Sequence, residues 1–521
     1  MDRCALAVDY GTSSCRASLV DFQGQILAVS RQSVRTEIRG ALAETDPDQA
    51  WGACVRAIRE VLSRGRELAA SRKSKGEPPL DPVPAVVGVS SLFGYLFLDE
   101  QDTPLVRGII WMDTRADRET RELEKKIGPG ELHRRTGRAA SPELLGPLVL
   151  WTRRNRPETY RRIRRITGLK DELVRRITGV TVTDFAHLNY TLAWNPLEGR
   201  FDRELLEETG IREQWLPRGL YPWEIAGSVT PAAAPELDLP AGIPVICGTS
   251  DGSAAMYGGG ILEPGAAVLV SGTTDVLMTL TREPRRALES RLAVNTGMIP
   301  GTWAVGAATG LSGGALQFWS GLLAGDLPGN LARAAELEPG AGGLTALPGL
   351  SGERAPWWEP GLRGGLAGLS SGMTPAHILR SLMEGTSYRL ADLAGEMTGQ
   401  GLPLRNIRLV GGGGADPGWN RIRADVLERP VCRMREPEAT TLGTALFCVS
   451  SFLGESPEAL SSRWMEVAEV YDPRPAVSET YRKLRREHRR YLDSAVALVR
   501  GIPAPGEAGG TGEPGGDREG K

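Results

Sequence analysis

The stretch on which the fold of this chain depends is Val245-Ile246-Cys247-Gly248-Thr249-Ser250-Asp251-Gly252-Ser253-Ala254-Ala255. It begins as an apolar strand and ends in a turn of small residues, which presents the carboxylate of Asp251 just before a helix. In α/β enzymes, the turn between a strand and the following helix is a common position for a general base. The stretch therefore predicts an α/β fold in which Asp251 is catalytic.

Two glycine-rich turns, one on each side of Asp251 in the sequence, join pairs of strand-like segments. The first is Asp9-Tyr10-Gly11-Thr12-Ser13, and the second is Ser271-Gly272-Thr273-Thr274. Backbone N–H groups and hydroxyls in such turns bind anions, and a carboxylate such as Asp9 holds Mg²⁺ through water. We predict that both turns bind the phosphates of a nucleotide while Asp251 activates the acceptor. An ordinary hairpin turn is the alternative for the first of them.

The length of 521 residues predicts two domains, because one hydrophobic core rarely grows beyond about 250–300 residues. We place the division shortly after the Asp251 segment, so that the domains span 1–260 and 261–500. The strands and turn within 266–280 repeat the order found in 5–20, which suggests a distant internal duplication. The remaining residues, 501–521, are glycine, proline and charged residues, and we predict a disordered tail.

The composition narrows the functional class. Hydrophobic residues make up 41% of the chain, and the formal net charge of −2 disfavours a general binder of nucleic acid or of anionic membranes. The arginine-rich stretch 151–165 has apolar residues at near-helical spacing, which predicts a helix with a solvated basic face. No secretory signal and no apolar run of about 20 residues is visible, so we expect a cytoplasmic protein without nucleic-acid or membrane partners.

Four further segments carry polar or glycine-rich turns beside strands or helices. Three strand ends, at Leu92-Phe93-Gly94, after Tyr95–Leu98 and at Trp111-Met112-Asp113-Thr114-Arg115, would together line a small polar pocket with an aromatic wall. A helix that begins within 310–319 starts with small residues, and the loop Gly411–Gly414 lies between a strand and a helix. That loop is neither a Walker A sequence nor a dinucleotide fingerprint, because the lysine and the spacing are absent.

Taken in order, these motifs resemble those of the FGGY family of carbohydrate kinases, most closely its xylulokinase branch, from about residue 5 to about residue 449. The resemblance implies an α/β fold of two actin-like (ribonuclease-H-like) domains with a catalytic cleft between them. The sugar would lie mostly on the first domain and ATP mostly on the second. The segments that carry the resemblance are Asp9–Ser13 with Arg16, Trp111–Arg115, Asp251, Ser271–Thr274, Leu350–Pro356, Glu384-Gly385, Gly411–Gly414 and Leu442–Ala445.

The resemblance implies transfer of the γ-phosphate of ATP to a hydroxyl of a small sugar, with Asp251 as general base and Mg²⁺ as a cofactor. Phosphoryl transfer needs positioning and charge neutralisation more than covalent help, which suits these residue types. The implied sugar-binding residues are Leu92, Phe93, Trp111, Met112, Asp113 and Asp251. The implied ATP-binding residues are Gly11, Thr12, Ser13, Arg16, Gly272, Thr273, Thr274, Gly313, Gln317, Gly412, Gly413, Gly414 and Asn420. The implied Mg²⁺ ligands are Asp9, through water, and Asp251.

Two departures from the xylulokinase pattern concern the sugar. Phe93 stands where that branch has a histidine, and Met112 stands where it usually has an asparagine. Since polyol specificity depends on satisfying hydroxyl groups, two lost hydrogen-bonding side chains are expected to change which hydroxyls are bound. We predict a ketopentose such as xylulose as the substrate, and another polyol or sugar acid (ribulose, gluconate or glycerol) is the alternative.

Other classes of protein are also compatible with the sequence. An actin-fold ATP-binding protein that works as a conformational switch would not need Asp251, and it would usually carry a separate client-binding domain. A kinase that binds sugar without turnover is a third interpretation, which the retained Asp9, Asp113 and Asp251 disfavour. Because the family often forms dimers, we expect a homodimer.

Several residues have purely structural interpretations. Arg115 is expected to form a salt bridge within or between domains, and Glu353-Arg354 is expected to hold a loop in place. The charged, proline-rich stretch 69–84 is interpreted as a surface excursion. Four histidines have no ligand-like spacing and receive no chemical role, namely His133, His187, His377 and His488.

Overall fold

The computed structural model describes residues 2–323 and 326–500, and the predicted disordered tail, 501–521, lies outside the described residues. The strands of the first half are β1 (Cys4–Tyr10), β2 (Ser14–Asp21), β3 (Ile26–Ser33), β4 (Glu37–Arg39), β5 (Leu42–Thr45), β6 (Val86–Ser91), β7 (Gly94–Leu98), β8 (Gly108–Ile110), β9 (Arg165–Gly168), β10 (Val182–Asp184), β11 (Trp194–Asn195), β12 (Arg200–Phe201), β13 (Arg218–Leu220), β14 (Ile225–Ser228), β15 (Pro244–Ile246) and β16 (Thr249–Ser250). Its helices are α1 (Pro47–Lys75), α2 (Asp117–Ile127), α3 (Pro129–Thr136), α4 (Leu145–Asn155), α5 (Pro157–Arg162), α6 (Leu169–Thr178), α7 (Phe185–Asn189), α8 (Arg203–Thr209), α9 (Ala234–Leu237) and α10 (Asp251–Gly258).

The second half has the same alternation of strands and helices. Its strands are β17 (Gly265–Ser271), β18 (Thr274–Thr281), β19 (Ala293–Thr296), β20 (Trp303–Leu311), β21 (Thr345–Leu347), β22 (Gly365–Ala367), β23 (Leu404–Val410), β24 (Val431–Met434) and β25 (Val467–Tyr471). Its helices are α11 (Gly313–Leu322), α12 (Leu327–Glu336), α13 (Pro375–Gly399), α14 (Pro417–Leu427), α15 (Ala439–Leu453), α16 (Pro457–Trp464) and α17 (Pro475–Arg500).

Each half is built on a sheet with the same topology. The first sheet has the order β14-β15-β6-β1-β2-β3, with β16 also paired to β6, and the second has the order β19-β20-β18-β17-β23-β24-β25. In both, the opening strand pairs antiparallel with the strand after the glycine turn and parallel with a later strand. The duplication suggested by 5–20 and 266–280 is therefore confirmed.

The central strand β1 is apolar along most of its length because it is covered on both faces, as expected of a strand with a parallel neighbour. One face packs on α1, which begins at Pro47 after the cap of Asp46. The Asp46 carboxylate accepts hydrogen bonds from the N–H groups of Asp48 and Gln49, as an N-cap residue does.

The two halves meet where α10 packs against α15. A Cβ atom on Gly258 of α10 would lie 1.8 Å from the carbonyl oxygen of Ala439 on α15. A Cβ atom on Gly443 would lie 1.9 Å from the carbonyl oxygen of Ala254. Only glycine at both positions allows this backbone contact, which fixes Asp251, the first residue of α10, relative to the second half.

Two sequence-based expectations need correction. The stretch 69–84 is not wholly an excursion, because α1 continues to Lys75 and ends at Gly76, which has a left-handed φ of 69°. The stretch 151–165 is not one helix but contains the end of α4, then α5 and the start of β9. The proline at position 157 explains the break, since it can begin a helix but cannot continue one.

Candidate active site

Two carboxylates lie at the ends of strands that both pair with β6: Asp9 is on β1, and Asp251 directly follows β16. Asp9 is near the end of β1, where the Ser90 hydroxyl on β6 donates a hydrogen bond to it over 3.2 Å. Burial raises the pKa of Asp9 to about 6, although Arg16 and Ser90 favour its charged form. Burial, and then the negative charge of Asp9, raise the pKa of Asp251 to about 7. The negative charge of Asp9 therefore disfavours the ionisation of Asp251.

The first glycine turn lies directly after Asp9. The Gly11 N–H donates to the carbonyl oxygen of Ser14 over 2.9 Å, which closes the turn and leaves Thr12 and Ser13 at its tip. The Thr12 hydroxyl accepts a hydrogen bond from the indole N–H of Trp111 over 3.3 Å. The turn and the predicted sugar segment therefore touch.

Arg16, a predicted ATP-binding residue, forms an ion pair with Glu438 at the start of α15. Arg31 on the neighbouring strand lies 3.7 Å from the same carboxylate. These residues are more than 400 positions apart, so the ion pair links the first glycine turn to the second half of the chain.

The second glycine turn is held against the start of α11. The carbonyl oxygen of Thr273 accepts from the N–H of Ser312 over 2.8 Å, and that of Gly272 accepts from the N–H of Gly313 over 3.1 Å. Gly313 therefore supports the turn, since a Cβ atom there would lie 2.6 Å from the Gly272 oxygen. Gln317 is exposed farther along α11.

The glycine loop 411–414 packs on the strand that leads to the second turn. A Cβ atom on Gly413 would lie 2.2 Å from the Ser271 hydroxyl. Buried Arg423 donates to that hydroxyl over 2.7 Å and to the Gly413 carbonyl over 2.9 Å. The predicted ATP-binding residue Asn420 is also fully buried. Its amide nitrogen donates to the Gly414 carbonyl oxygen, and its amide oxygen accepts from Arg423. Asn420 therefore supports the conformation of the loop.

The predicted sugar-binding residues fall into two groups. Leu92 and Phe93 directly follow β6 and are buried, and Phe93 stacks on Tyr190 with ring centroids 4.0 Å apart. Trp111 is exposed, as an aromatic wall of an open pocket would be, while Met112 is half-buried and packs against the core.

Asp113 is fully buried and is used within the chain. Its carboxylate accepts from the N–H of Ala43 over 2.8 Å and forms a 2.7 Å ion pair with Arg115. Arg115 also pairs with Glu44 at 2.6 Å, so its salt bridges lie within the first half. Asp113 therefore positions the Trp111 segment.

The loop predicted to be held by Glu353-Arg354 is anchored differently. Glu353 forms a fully buried 2.7 Å ion pair with Arg389 on α13, whereas Arg354 is exposed. The loop is therefore held by a contact between distant residues.

Sequence reasoning placed Lys170-Asp171 and Thr183-Asp184 at the border of the predicted pocket, but it missed that Lys170, Asp171, Asp184 and His187 form a buried charged cluster beside the Asp251 turn. The Asp184 carboxylate contacts the Nδ1 atom of His187 at 2.6 Å and accepts from the Thr249 hydroxyl over 2.7 Å. The Lys170 ammonium lies 2.6 Å from Asp171 and 3.2 Å from Asp184. Burial would raise the pKa of Asp184, but Lys170 and His187 outweigh burial and hold it well below its usual value.

This cluster has the ligand types of a metal site, since Asp171, Asp184 and His187 lie close together. The ammonium of Lys170 already supplies the positive charge between the two carboxylates, so the cluster is an ion-pair network. The available sequence signal was the i,i+3 spacing of Asp184 and His187 across the start of α7.

The fold has two repeated actin-like halves that each open with a glycine turn, and a pair of carboxylates lies beside the first turn. These features are those of an ATP-dependent phosphotransferase. The chain belongs to the FGGY family of carbohydrate kinases. The family's N-terminal domain matches residues 4–258, and its C-terminal domain matches residues 267–452. It is thus a phosphotransferase with an alcohol group as acceptor, rather than a conformational switch without sugar chemistry.

Known proteins agree with this assignment. The chain is 26% identical over 424 residues to a xylulose kinase of Escherichia coli (strain K12), a match covering 81% of this chain and 84% of that protein. It is 29% identical over 484 residues to a xylulose kinase of Streptomyces rubiginosus, with coverage of 89% and 91%. The structure of a ligand-bound xylulose kinase from Lactobacillus acidophilus superposes with a TM-score of 0.87 at 21% identity, over 96% of this chain and 99% of that one.

Within residues 2–323 and 326–500, none of the helices is both long and apolar enough to cross a membrane.

Proposed function

We propose that this carbohydrate kinase transfers the γ-phosphate of ATP to a hydroxyl of a small sugar, with Asp251 as the general base. The observation that carries the proposal is the half-buried Asp251 at the start of α10, whose pKa is raised to about 7 by burial and by Asp9. A base is most effective when its pKa lies near the working pH, because it is then both ionised and basic.

The nucleotide side of the proposal rests on the two glycine turns. The N–H groups of Gly11 and Gly272 close the turns, so the turns Gly11–Ser13 and Gly272–Thr274 offer their partly exposed hydroxyls and their other backbone N–H groups. Exposed Gly412 lies on the adjoining loop. When a phosphate group enters, Arg16 would either release Glu438 or bind the carboxylate and the phosphate together, because both anions are partners of the same guanidinium. We assign sugar binding to residues 1–260 and ATP binding to residues 261–500.

Asp9 and Asp251 fit a divalent cation. Each carboxylate has a raised pKa, and the charge of Asp9 contributes to that of Asp251, so a cation would relieve their repulsion. When bound, Mg²⁺ supplies charge neutralisation for the phosphates. The chain itself then positions the acceptor hydroxyl, accepts its proton at the Asp251 carboxylate and excludes water by closing the two halves.

The acceptor predicted from the sequence is a ketopentose such as xylulose, which agrees with the names of the xylulose kinases reported above. Ribulose, gluconate and glycerol are the alternatives, because Phe93 and Met112 replace hydrogen-bonding residues of the xylulokinase pattern. A homodimer and a cytoplasmic location stay predictions, and sedimentation velocity would measure the first.

The test is a coupled ADP-release assay with Mg-ATP against ketopentoses, pentitols, glycerol and sugar acids. One compound should raise turnover strongly, and Asp251→Asn should lose that turnover while it still binds ATP. Asp238→Asn is the matched control, because Asp238 is a surface partner of Arg66 at 2.7 Å. Equal turnover in the Asp251 variant and the wild type would refute the assignment of the base.

A further inference from the structure

Ser90 lies on β6 between the two strands that lead to the carboxylates of the site. It pairs with Asp9 on β1 along one edge of β6 and with Thr249 on β16 along the other. Its fully buried hydroxyl donates a hydrogen bond to the Asp9 carboxylate over 3.2 Å. Among residues 2–323 and 326–500, it is the only hydrogen-bond donor to that carboxylate. The Ser90 hydroxyl therefore restrains the orientation of Asp9.

The second half of the chain reaches Ser90 through α15. Thr444 on this helix is buried, and its hydroxyl lies 3.1 Å from that of Ser90. The helix comes this close because Gly88, on the same face of β6, has no side chain. A Cβ atom on Gly88 would lie 2.5 Å from Sγ of Cys448 and 3.1 Å from Cγ2 of Thr444. One chain of hydrogen bonds, from Thr444 through Ser90 to Asp9, thus joins the two halves.

The direction of this chain follows from the number of protons. The Thr444 hydroxyl has one proton and two acceptors, the Ser90 oxygen at 3.1 Å and the Thr440 carbonyl oxygen at 2.9 Å. The acceptors of the Ser90 proton are Asp9 at 3.2 Å and the Val8 carbonyl oxygen at 3.4 Å. A carboxylate is the stronger acceptor, so the Ser90 proton points to Asp9 and the Ser90 lone pairs accept from Thr444. Successive hydrogen bonds of this kind strengthen one another.

The same helix also bears on Asp251. Gly443, next to Thr444, lies against α10, where a Cβ atom on Gly443 would be 1.9 Å from the Ala254 carbonyl oxygen. Since α10 begins at Asp251, α15 contacts the element that carries this carboxylate and, through Thr444, the hydroxyl that holds the other one. One helix of the second half therefore supports both carboxylates that fit a divalent cation.

We propose that Ser90 and Thr444 are positioning residues of this kinase. Ser90 holds the Asp9 carboxylate in the orientation that binds Mg²⁺ through water, and Thr444 holds the Ser90 hydroxyl. The proposal rests on the proposed function and deepens it, because it names the residues through which the second half acts on the Mg²⁺ site of the first. Both residues act through Asp9, since a carboxylate that is already oriented loses less freedom when it binds a metal.

Binding of a non-hydrolysable ATP analogue measures this effect without turnover. Calorimetric titration of the full chain with AMP-PNP, once in MgCl₂ and once in EDTA, gives two dissociation constants. The ratio of the EDTA value to the MgCl₂ value is the gain in nucleotide binding that Mg²⁺ provides. Ser90→Ala should reduce this ratio by about 10-fold or more, the usual effect of losing a residue that orients a metal ligand. In the ADP-release assay, the half-activating Mg²⁺ concentration should rise similarly, while KM for the sugar stays unchanged.

Variants at Thr444 separate positioning from packing. Thr444→Val keeps the shape of the side chain and should reduce the ratio by roughly 2- to 10-fold, the range for one neutral hydrogen bond. Thr444→Ser keeps the hydroxyl and should keep the wild-type ratio. Ser90→Ala combined with Thr444→Val should match Ser90→Ala alone, because Thr444 acts through Ser90. Thr152→Val is the matched control: Thr152 is buried on α4, its hydroxyl donates to the Leu148 carbonyl oxygen over 2.7 Å, and the ratio should not change.

Each outcome decides between this proposal and the proposed function. If a sugar is phosphorylated and Ser90→Ala keeps the wild-type ratio, or the double variant loses the product of the two single factors, the positioning proposal alone is overturned. If no sugar is phosphorylated but Ser90→Ala lowers the ratio, the proposed function fails and the positioning proposal stands. If AMP-PNP does not bind, or binds equally with and without Mg²⁺, both are overturned. Thermal unfolding shows whether each variant folds, and if Ser90→Ala does not, Thr444→Val against Thr444→Ser gives the same decision.

Discussion

Replacing Asp251 with asparagine removes the proposed general base while it keeps the size of the side chain. We expect kcat to fall by about 10²- to 10⁴-fold, the range that a positioned general base contributes. In the wild type, kcat/KM should fall as the pH is lowered through about 7, because protonated Asp251 cannot accept the proton of the sugar hydroxyl. The variant should lack this pH dependence in its residual activity.

The same substitution should stabilise the fold in the absence of Mg²⁺ and substrate. Burial and the charge of Asp9 raise the pKa of Asp251 from 3.8 to about 7, so ionisation opposes folding. A carboxyl whose pKa is raised in the folded protein contributes its full share of stability below pH 3.8. This stability is lost as the pH rises from 3.8 through 7. The loss reaches up to about 2 kcal/mol at pH 5.5 and up to about 4 kcal/mol at pH 8. Asparagine does not titrate, so the variant does not lose stability in this way.

Urea unfolding at both pH values, followed by tryptophan fluorescence, measures this difference. The free energy of unfolding of Asp251→Asn should exceed that of the wild type by about 2 kcal/mol more at pH 8 than at pH 5.5. The exposed control, Asp238→Asn, should show no such trend. A variant with wild-type kcat, or one whose relative stability does not change with pH, would refute the reasoning that Asp251 is a half-buried base coupled to Asp9.

The helix crossing, a buried ion pair and the metal requirement give three independent tests. Gly258→Ala places a methyl group 1.8 Å from the Ala439 carbonyl oxygen and should lower the free energy of unfolding in urea by about 1–3 kcal/mol or more. Gly252→Ala is the control, because nothing lies within 4 Å of the added methyl group, and it should change that free energy by less than about 1 kcal/mol. Arg389→Met leaves the buried Glu353 carboxylate without its 2.7 Å partner and should cost about 3–5 kcal/mol, part of which Glu353→Gln in the same chain should recover. Chelation of divalent cations with EDTA should abolish ADP release, and added Mg²⁺ should restore it in the same assay.

Much of the fold was predictable because its signals are local. A strand, a glycine turn and a second strand are encoded by adjacent residues, so the hairpins around Gly11 and Gly272 were expected with nearly the observed bounds. The long helix α13 is also encoded locally, by its early proline and its apolar spacing. The break at position 157 was missed because the apolar spacing of 151–166 outweighed the proline in the interpretation.

The sequence by itself determined the repeated strand–turn–strand units, the capped helices and the position of Asp251 at the start of one helix. Only the tertiary structure decided which charges meet. Arg16 pairs with Glu438, and the Asp113 carboxylate is bound by the N–H of Ala43 and by Arg115. Local conformation depends on neighbours in the chain. The partner of a long side chain depends instead on how the two halves pack together, which they do through the contact of α10 with α15. No spacing in the sequence records that contact.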